Sequence, residues 1–308
     1  MESKASRYYW IYTAIIFTIV TAVFFYIFGG FATGPDFVSY LIVMLILGFI
    51  IALLSTYVIA PIILWKAFKD LNDNVIQGML QQLSQKAGLK KVPKLMVFET
   101  PEFNAFTYIT LFGPKLVLTS GLVNAFKNGE INNDELMAIM GHEIGHIKHK
   151  DTLRRWIVQS WISVFYSLGT VLLFTGLITM GIGFTFSMLD RDDSEGLGTI
   201  LVGIAFAFAG GIMMVISKII SLLSLHHDRF NEYLADEFGA RIAGGDNLIS
   251  ALKKIEGKNN SLTSKDVPYT PYPDSWQVKP AKTSIIDRLF SDHPPLERRI
   301  ERIKKLGL

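Results

Sequence analysis

The chain has 308 residues, half of them hydrophobic, a mean hydropathy of +0.34 and no cysteine. Because soluble domains rarely reach that hydropathy, the composition predicts membrane segments. The absence of cysteine excludes disulfides, a thiolate zinc site and a cysteine nucleophile. The net charge of +3 is small, and no nucleic-acid partner is expected.

Four apolar runs are each long enough to cross a hydrocarbon core, which needs about 20 helical residues. They cover residues 8–31, 37–65, 156–189 and 197–225, and Lys218 is their only charged side chain. The first run is too long for the apolar region of a signal peptide and lacks a cleavage site, so an uncleaved anchor is expected. For the last two runs, a helical hairpin buried in a soluble core is the alternative.

Lysine and arginine flank these runs asymmetrically, and this bias predicts their orientation. Positive side chains precede the first run, follow the second, precede the third and follow the fourth. Arg191 is the only Lys or Arg in the loops at 32–36 and 190–196. We therefore predict two transmembrane hairpins, 1–65 and 156–225, with both termini in the cytoplasm. The cytoplasmic domain would then combine two separated stretches, residues 66–155 and 226–308.

Within the cytoplasmic stretches the patterns indicate helices around a small sheet. An amphipathic pattern predicts a helix from Leu71 to Ala87, and three short runs predict strands. These runs are 95–98, 104–110 and 115–119, with Gly113-Pro114 in a turn. The polar, proline-rich segment 257–284 predicts a mobile loop. The predicted fold class is α+β, an integral membrane protein with four transmembrane helices and a mainly helical cytoplasmic domain.

The segment from His142 to His146 has the pattern His-Glu-x-x-His, and Asn132, Asn133 or Asp134 could cap its helix. Two imidazoles four residues apart project from one helical face and can hold one tetrahedral zinc. Glu143 is then placed to deprotonate a zinc-bound water. Gly141 and Gly145 leave a face without side chains, where another backbone can come close. The alternative is a surface helix with two histidines.

A catalytic zinc needs a third protein ligand and an open position. His149 lies about 10 Å further along the same helix, too far to share the ion. Glu232 and Asp236 share one face of a helical segment, so one carboxylate could bind the metal. The other could accept a ring N–H from a ligand histidine. The alternative for this pair is an exposed acidic helix face.

Together these features resemble peptidase family M48, a family of membrane zinc metalloproteases. The similarity covers nearly the whole chain and includes the segments Thr100–Phe106, Thr119–Leu122 and His293–Ile300. It implies a zincin-like protease domain with one Zn²⁺ per subunit. The implied roles are the ligands His142, His146 and Glu232, the catalytic Glu143, the supporting acid Asp236, and His293 and Arg299 at the rim of the active site.

We expect His293 and Arg299 to be candidate donors to the oxyanion, the alternatives being a C-terminal cap and a surface salt bridge. The strand that begins with Asn104, Ala105 and Phe106 would bind extended substrate by strand addition.

The resemblance also implies a multi-pass protease of the plasma or inner membrane that degrades misfolded or damaged membrane proteins, in protein quality control and the stress response. Its partners would be protein substrates and the lipid bilayer. A narrow-specificity processing protease of the same family and an inactive zinc-binding scaffold remain alternatives. A channel or transporter is disfavoured, because such proteins place ionisable groups inside their spans.

Overall fold

The computed structural model describes residues 46, 48–50, 68–110, 112–189, 194–262 and 294–308. The predicted spans at 8–31 and 37–65 lie almost wholly outside the described residues. The loop at 32–36, residues 190–193 of the loop predicted at 190–196, and His293 lie wholly outside them, whereas residues 194–196 are helical and not a loop. The described residues divide into two compact units. Those of the first fall within 55–155 and 225–308, and those of the second within 14–54 and 156–224.

A four-stranded mixed sheet forms one layer of the first unit, in the order β1-β2-β4-β3. Its strands are β1 (Phe68–Asp70), β2 (Lys94–Phe98), β3 (Ala105–Thr110) and β4 (Gly113–Thr119). Strands β2 and β4 are parallel, and the other two pairs are antiparallel. The three predicted strands are confirmed, but the predicted turn at Gly113-Pro114 is wrong, because both residues pair with β3 and begin β4. The fourth, β1, has no signal in the sequence because three residues are too few for alternation to show.

The pleat separates the side chains of this sheet onto two faces. One face packs against the helices through Leu95, Ala105, Leu116 and Leu118. The opposite face carries four aromatic rings in contact, those of Phe68, Phe98, Phe106 and Tyr108. Among the described residues, β3 pairs on one side only and therefore forms an edge of the sheet.

Three helices of the first unit begin at capped residues. They are α1 (Asn74–Lys86), α2 (Ser120–Lys127) and α3 (Asn133–His149). The carboxylate of Asp73 accepts hydrogen bonds from the amides of Val75 and Ile76, so α1 begins slightly later than predicted. Asn132 caps α3 in a reciprocal pair with Glu135, which selects it among the three predicted caps.

The core of this unit lies between α1, α3 and the sheet. Ile76, Leu80 and Leu83 of α1 and Leu136, Met140 and Ile144 of α3 are fully buried within one apolar cluster. Each such side chain contributes roughly 1.5–3 kcal/mol on leaving water. The helix that carries the His-Glu-x-x-His motif is thus held in place by its apolar face.

Two long helices follow, α4 (Asp151–Leu189, 39 residues) and α5 (Ser194–Ala243, 50 residues). Their most apolar windows have mean hydropathies of 1.8 and 2.4. Both helices are therefore long and apolar enough to cross a membrane. Only 22% and 11% of these windows are buried. A core helix of a soluble protein would be mostly buried, so the structure does not support a hairpin inside a soluble core.

Helices α4 and α5 pack against each other in the second unit along a regular series of glycines. Three glycines on each helix recur every seventh residue, and each of these six lies against the other helix's backbone or the base of its side chains. The pairs across the contact are Gly169 with Gly210, Gly176 with Gly203, and Gly183 with Gly196. A period of seven keeps small residues on one side of a helix. The two backbones therefore approach closely along the whole seam.

Two further helices complete the first unit, α6 (Gly245–Ser261) and α7 (Leu296–Lys305). The predicted loop from 257 is wrong for its first five residues, which continue α6. The side-chain amide of Asn259 explains the extension. Its Nδ2 donates to the carbonyl of Phe103 at 2.8 Å, and its Oδ1 accepts from the N–H of Phe103 at 2.9 Å. Tertiary pairing thus overrides the local polar composition. The rest of the predicted loop, beyond residue 262, lies outside the described residues.

Candidate metal centre

The two motif histidines lie on the buried face of α3. His142 and His146 are 8% and 9% exposed, and their Nε2 atoms are 3.2 Å apart. Their rings are nearly perpendicular, with centroids separated by 4.8 Å. Both Nε2 atoms therefore point to one place, so a surface helix with two histidines is excluded.

Helix α5 brings Glu232 to that place. Its carboxylate oxygens lie 3.7 Å from Nε2 of His142 and 3.4 Å from Nε2 of His146. The residue is 2% exposed, and one ligand atom from each of the three residues lies within 4.8 Å of the others. Three donors from two separated stretches of the chain thus converge on one buried point.

Glycine allows the two helices to approach closely enough for this arrangement. A Cβ atom at Gly145 would lie 3.0 Å from Cα of Ala235, and one at Gly239 would lie 2.9 Å from the backbone N of His142. Gly141 faces Gly239 in the same contact. The prediction that Gly141 and Gly145 admit another backbone is confirmed, and that backbone is the segment of α5 carrying Glu232.

The other ring nitrogen of each histidine faces a different carboxylate. Nδ1 of His142 lies 2.9 Å from Asp236, and Nδ1 of His146 lies 3.0 Å from Asp151. Asp236 was expected beside one of the two rings. Asp151 has no sequence signal, because five residues after His146 on a continuous helix would place it on another face.

Arg299 of α7 binds Asp236 through two hydrogen bonds. Its Nε and Nη2 donate to the two carboxylate oxygens at 2.8 and 2.6 Å, and its Nη1 lies 3.8 Å from Glu232. Burial would raise the pKa of Asp236, but Arg299 and His142 lower it to about 2. This carboxylate is therefore ionised and fixed in orientation. The Nε and Nη2 atoms of Arg299 are occupied by Asp236.

The surroundings of His146 favour a positive charge. Burial would lower the pKa of this ring, but hydrogen bonds with Asp151 and Glu232 and the charges of Glu232 and Glu143 raise it to about 10. The acidic groups around this ring thus create a negative field at this place. A bound cation would satisfy the same negative field.

The donor set fits a metal of the zinc type. Two imidazoles and one carboxylate are the ligands of several catalytic zinc sites. Both Nδ1 atoms face carboxylates, so the unprotonated electron pairs are left on the two Nε2 atoms that converge. Glu143, which lies between the two histidines in the chain, is 8% exposed and is placed beside this point.

The expected substrate strand lies at the edge of the sheet. The N–H of Asn104 donates to Oγ1 of Thr119 at 3.0 Å, and its carbonyl accepts from the Thr119 amide at 3.0 Å. Ala105 and Phe106 are each 8% exposed, so their side chains pack inside the protein. The role expected for His293 falls outside the described residues.

Comparison with known proteins agrees with this geometry. The family model described as "Peptidase family M48" matches residues 70–307. A "Protease HtpX homolog" from Pyrococcus abyssi is 33% identical over 75% of this chain and 72% of its own length. A homologue of the same name from Thermococcus kodakarensis is 31% identical over 97% and 96% of the two chains. A "Protease HtpX" from Alcanivorax borkumensis is 28% identical over 89% and 87%.

Proposed function

Because the chain belongs to peptidase family M48, we propose that it is a zinc-dependent endopeptidase embedded in a membrane and acting on membrane proteins. The observation that carries this proposal is the buried cluster of His142, His146 and Glu232, whose ligand atoms lie within 4.8 Å of one another. An inactive scaffold needs no base beside such a cluster, yet Glu143 lies beside it.

The mechanism follows from the positions of the side chains. His142, His146 and Glu232 would hold the zinc, which when bound lowers the pKa of water and polarises the scissile carbonyl. Glu143 accepts a proton from the attacking water and delivers it to the leaving amine. Asp236, held by Arg299, lies 2.9 Å from Nδ1 of His142 and would help to hold this ring in the orientation that metal binding requires.

Substrate would bind in extended form along β3. Because β3 pairs on one side only in the described sheet, a peptide could add to its other side, and such pairing depends on the backbone rather than on side-chain identity. Broad specificity of this kind suits an enzyme that removes misfolded or damaged membrane proteins in the stress response. His293 would lie at the rim of the site as a donor to the oxyanion.

The proposed topology has four membrane spans, with the zinc site and both termini in the cytoplasm. The support for this topology is the excess of Lys and Arg at the ends of the apolar runs that adjoin residues 66–155 and 226–308, compared with the loops at 32–36 and 190–196. Because the chain lacks cysteine, single cysteines can be introduced without background. A membrane-impermeant thiol reagent applied from outside should label positions 34 and 193 but not 130 and 262. The reverse pattern would exclude this topology.

Two substitutions at the site test the proposed function. The variant Glu143→Gln should keep its zinc but lose cleavage of unfolded casein by about 10²–10⁴-fold, because the general base is removed. The variant Glu232→Ala should lose the zinc itself. Zinc content by metal analysis and casein cleavage are measured on both purified proteins, with and without a chelator.

Glu237→Gln is the matched control, because Glu237 is a carboxylate of the same helix that pairs with Arg241 rather than with the cluster. It should keep both zinc and activity. A parallel fall of zinc and activity in Glu143→Gln would make Glu143 a ligand. Full zinc content in Glu232→Ala would exclude the proposed ligand set. Cleavage of a misfolded membrane protein, but not its folded form, would support the substrate class.

A further inference from the structure

We propose that Asp151 is a positioning residue for His146, and that the left-handed backbone of Lys150 is what brings it there. The inference rests on the proposed zinc site and extends it. Oδ2 of Asp151 lies 3.0 Å from Nδ1 of His146, and the residue is 3% exposed. The contact matches that of Asp236 with His142 on the other side of the cluster.

The backbone between α3 and α4 explains how this contact forms. An α-helix turns by about 100° per residue, so residue 151 of an unbroken helix would point about 140° away from His146. Lys150 instead has φ 60° and ψ 31°, and it is the only non-glycine residue with positive φ in the described part of the chain. Lys150 is the C-cap of α3, and α4 begins at the next residue, Asp151. The break turns the carboxylate back toward the ring.

The chemistry of the contact has a clear consequence for the metal. A carboxylate that accepts the Nδ1 proton of a histidine fixes the tautomer, so that Nε2 keeps its electron pair for an ion. It also raises the basicity of that nitrogen. Each ligand histidine of this protein thus has its own acid, Asp236 on α5 and Asp151 on α4.

A purely structural role does not account for Asp151. An acidic residue in the first turn of a helix is stabilised by the helix dipole, but it obtains that benefit while exposed to water. Asp151 is buried instead, and its second oxygen, Oδ1, has no hydrogen-bond partner in the described structure. Burying a carboxylate with so few partners is costly unless a positive charge lies beside it. The group that it faces is Nδ1 of His146 at 3.0 Å, and in the loaded enzyme the positive charge of the ion would lie beyond that ring.

The test measures zinc affinity by competition with a chromophoric chelator. Asp151→Ala should bind zinc about 10–100-fold more weakly than the wild type. Asp151→Asn should lose less, because the amide oxygen can still accept the ring proton. Asp228→Asn is the matched control, because Asp228 is a buried acid of α5 that pairs with Arg155 at 3.4 Å. Its zinc affinity should equal that of the wild type.

Substitution of Lys150 tests the backbone without changing Asp151. Glycine adopts positive φ freely, so Lys150→Gly should keep the zinc affinity of the wild type. A β-branched residue resists that conformation, so Lys150→Val should weaken zinc binding on the order of tenfold. These two variants decide the question if Asp151→Ala fails to fold.

A spectroscopic measurement separates positioning from general stability. The chain has six histidines, so ¹⁵N-histidine labelling gives a tractable spectrum. The zinc-loaded wild type should show an Nδ1 proton of His146 that is protected from exchange, and Asp151→Ala should lose it. If the wild type takes up no zinc, the proposed function fails. If the wild type binds zinc and Asp151→Ala binds it equally well, only the role of Asp151 is overturned.

Discussion

Two of the helix contacts that glycine permits in the described part of the chain differ in spacing and in neighbours. Where α3 meets α5, Gly141 and Gly145 are four residues apart and face Gly239 and Ala235. Where α4 meets α5, the glycines recur every seven residues on both helices. The first contact has ionisable side chains beside it, and the second is surrounded by apolar residues.

The close approach of two helix backbones thus serves two different purposes in this chain. Carboxylates have short side chains, so Glu232 and Asp236 reach the histidine rings only if α5 lies almost against α3. In the described part of the hairpin, by contrast, the glycine seam carries no carboxylate, and small residues maximise the van der Waals packing that holds helices together where no hydrophobic effect does so. The hydroxyls of Thr170, Thr185 and Thr199 donate to carbonyls four residues earlier, so they need no partner across the contact.

The strongest test of this difference is a larger side chain at the metal centre. Gly145→Leu should force α5 away from α3, because a Cβ at this position would already lie 3.0 Å from Cα of Ala235. A displacement near 1 Å can cost about 100-fold in rate. We expect loss of bound zinc and at least that loss of casein cleavage, measured by metal analysis and proteolysis.

The control for this variant is Gly78→Leu in α1, where a Cβ would meet nothing within 4 Å. It should keep zinc and activity. Normal zinc content in Gly145→Leu would show that the contact between α3 and α5 tolerates separation. Close approach of these helices would then not be required for the metal centre.

A smaller effect is expected in the hairpin. Gly169→Leu places a Cβ 2.8 Å from the carbonyl oxygen of Gly210 and 2.9 Å from Cγ of Met214, so the helices must separate. Overpacking of this kind costs about 1–3 kcal/mol. We expect a lower temperature of unfolding in detergent, while the protein that remains folded keeps its zinc.

Gly181→Leu is the control on the same helix, because a Cβ there would meet nothing within 4 Å. Its unfolding temperature should equal that of the wild type. Equal destabilisation by both substitutions would show that added bulk, and not the seam, is responsible.

Local patterns were sufficient to predict much of the first unit. The strand-like runs at 95–98, 104–110 and 115–119 and the cap candidates Asn132, Asn133 and Asp134 each depend on a few adjacent residues, and the structure selects Asn132. The pairing of His142 with His146 is equally local, since it depends only on helical geometry. The extension of α6 to Ser261 was not predictable, because it depends on Asn259 meeting the distant backbone of Phe103.

The sequence by itself determined which side chains could form the metal centre, because a helix places residues four apart on one face whatever surrounds it. It also determined that α3 could be approached closely, since two glycines remove the side chains from one stripe. Only the tertiary structure decided which segment packs against the glycines of α3 and which carboxylate lies beside each histidine ring. The choice of Glu232 over Asp236 depends on where α5 crosses α3, and the contact of Asp151 depends on one left-handed residue. Arg299 reaches Asp236 from a helix 63 residues away. Such contacts join distant parts of the chain, so no local pattern encodes them.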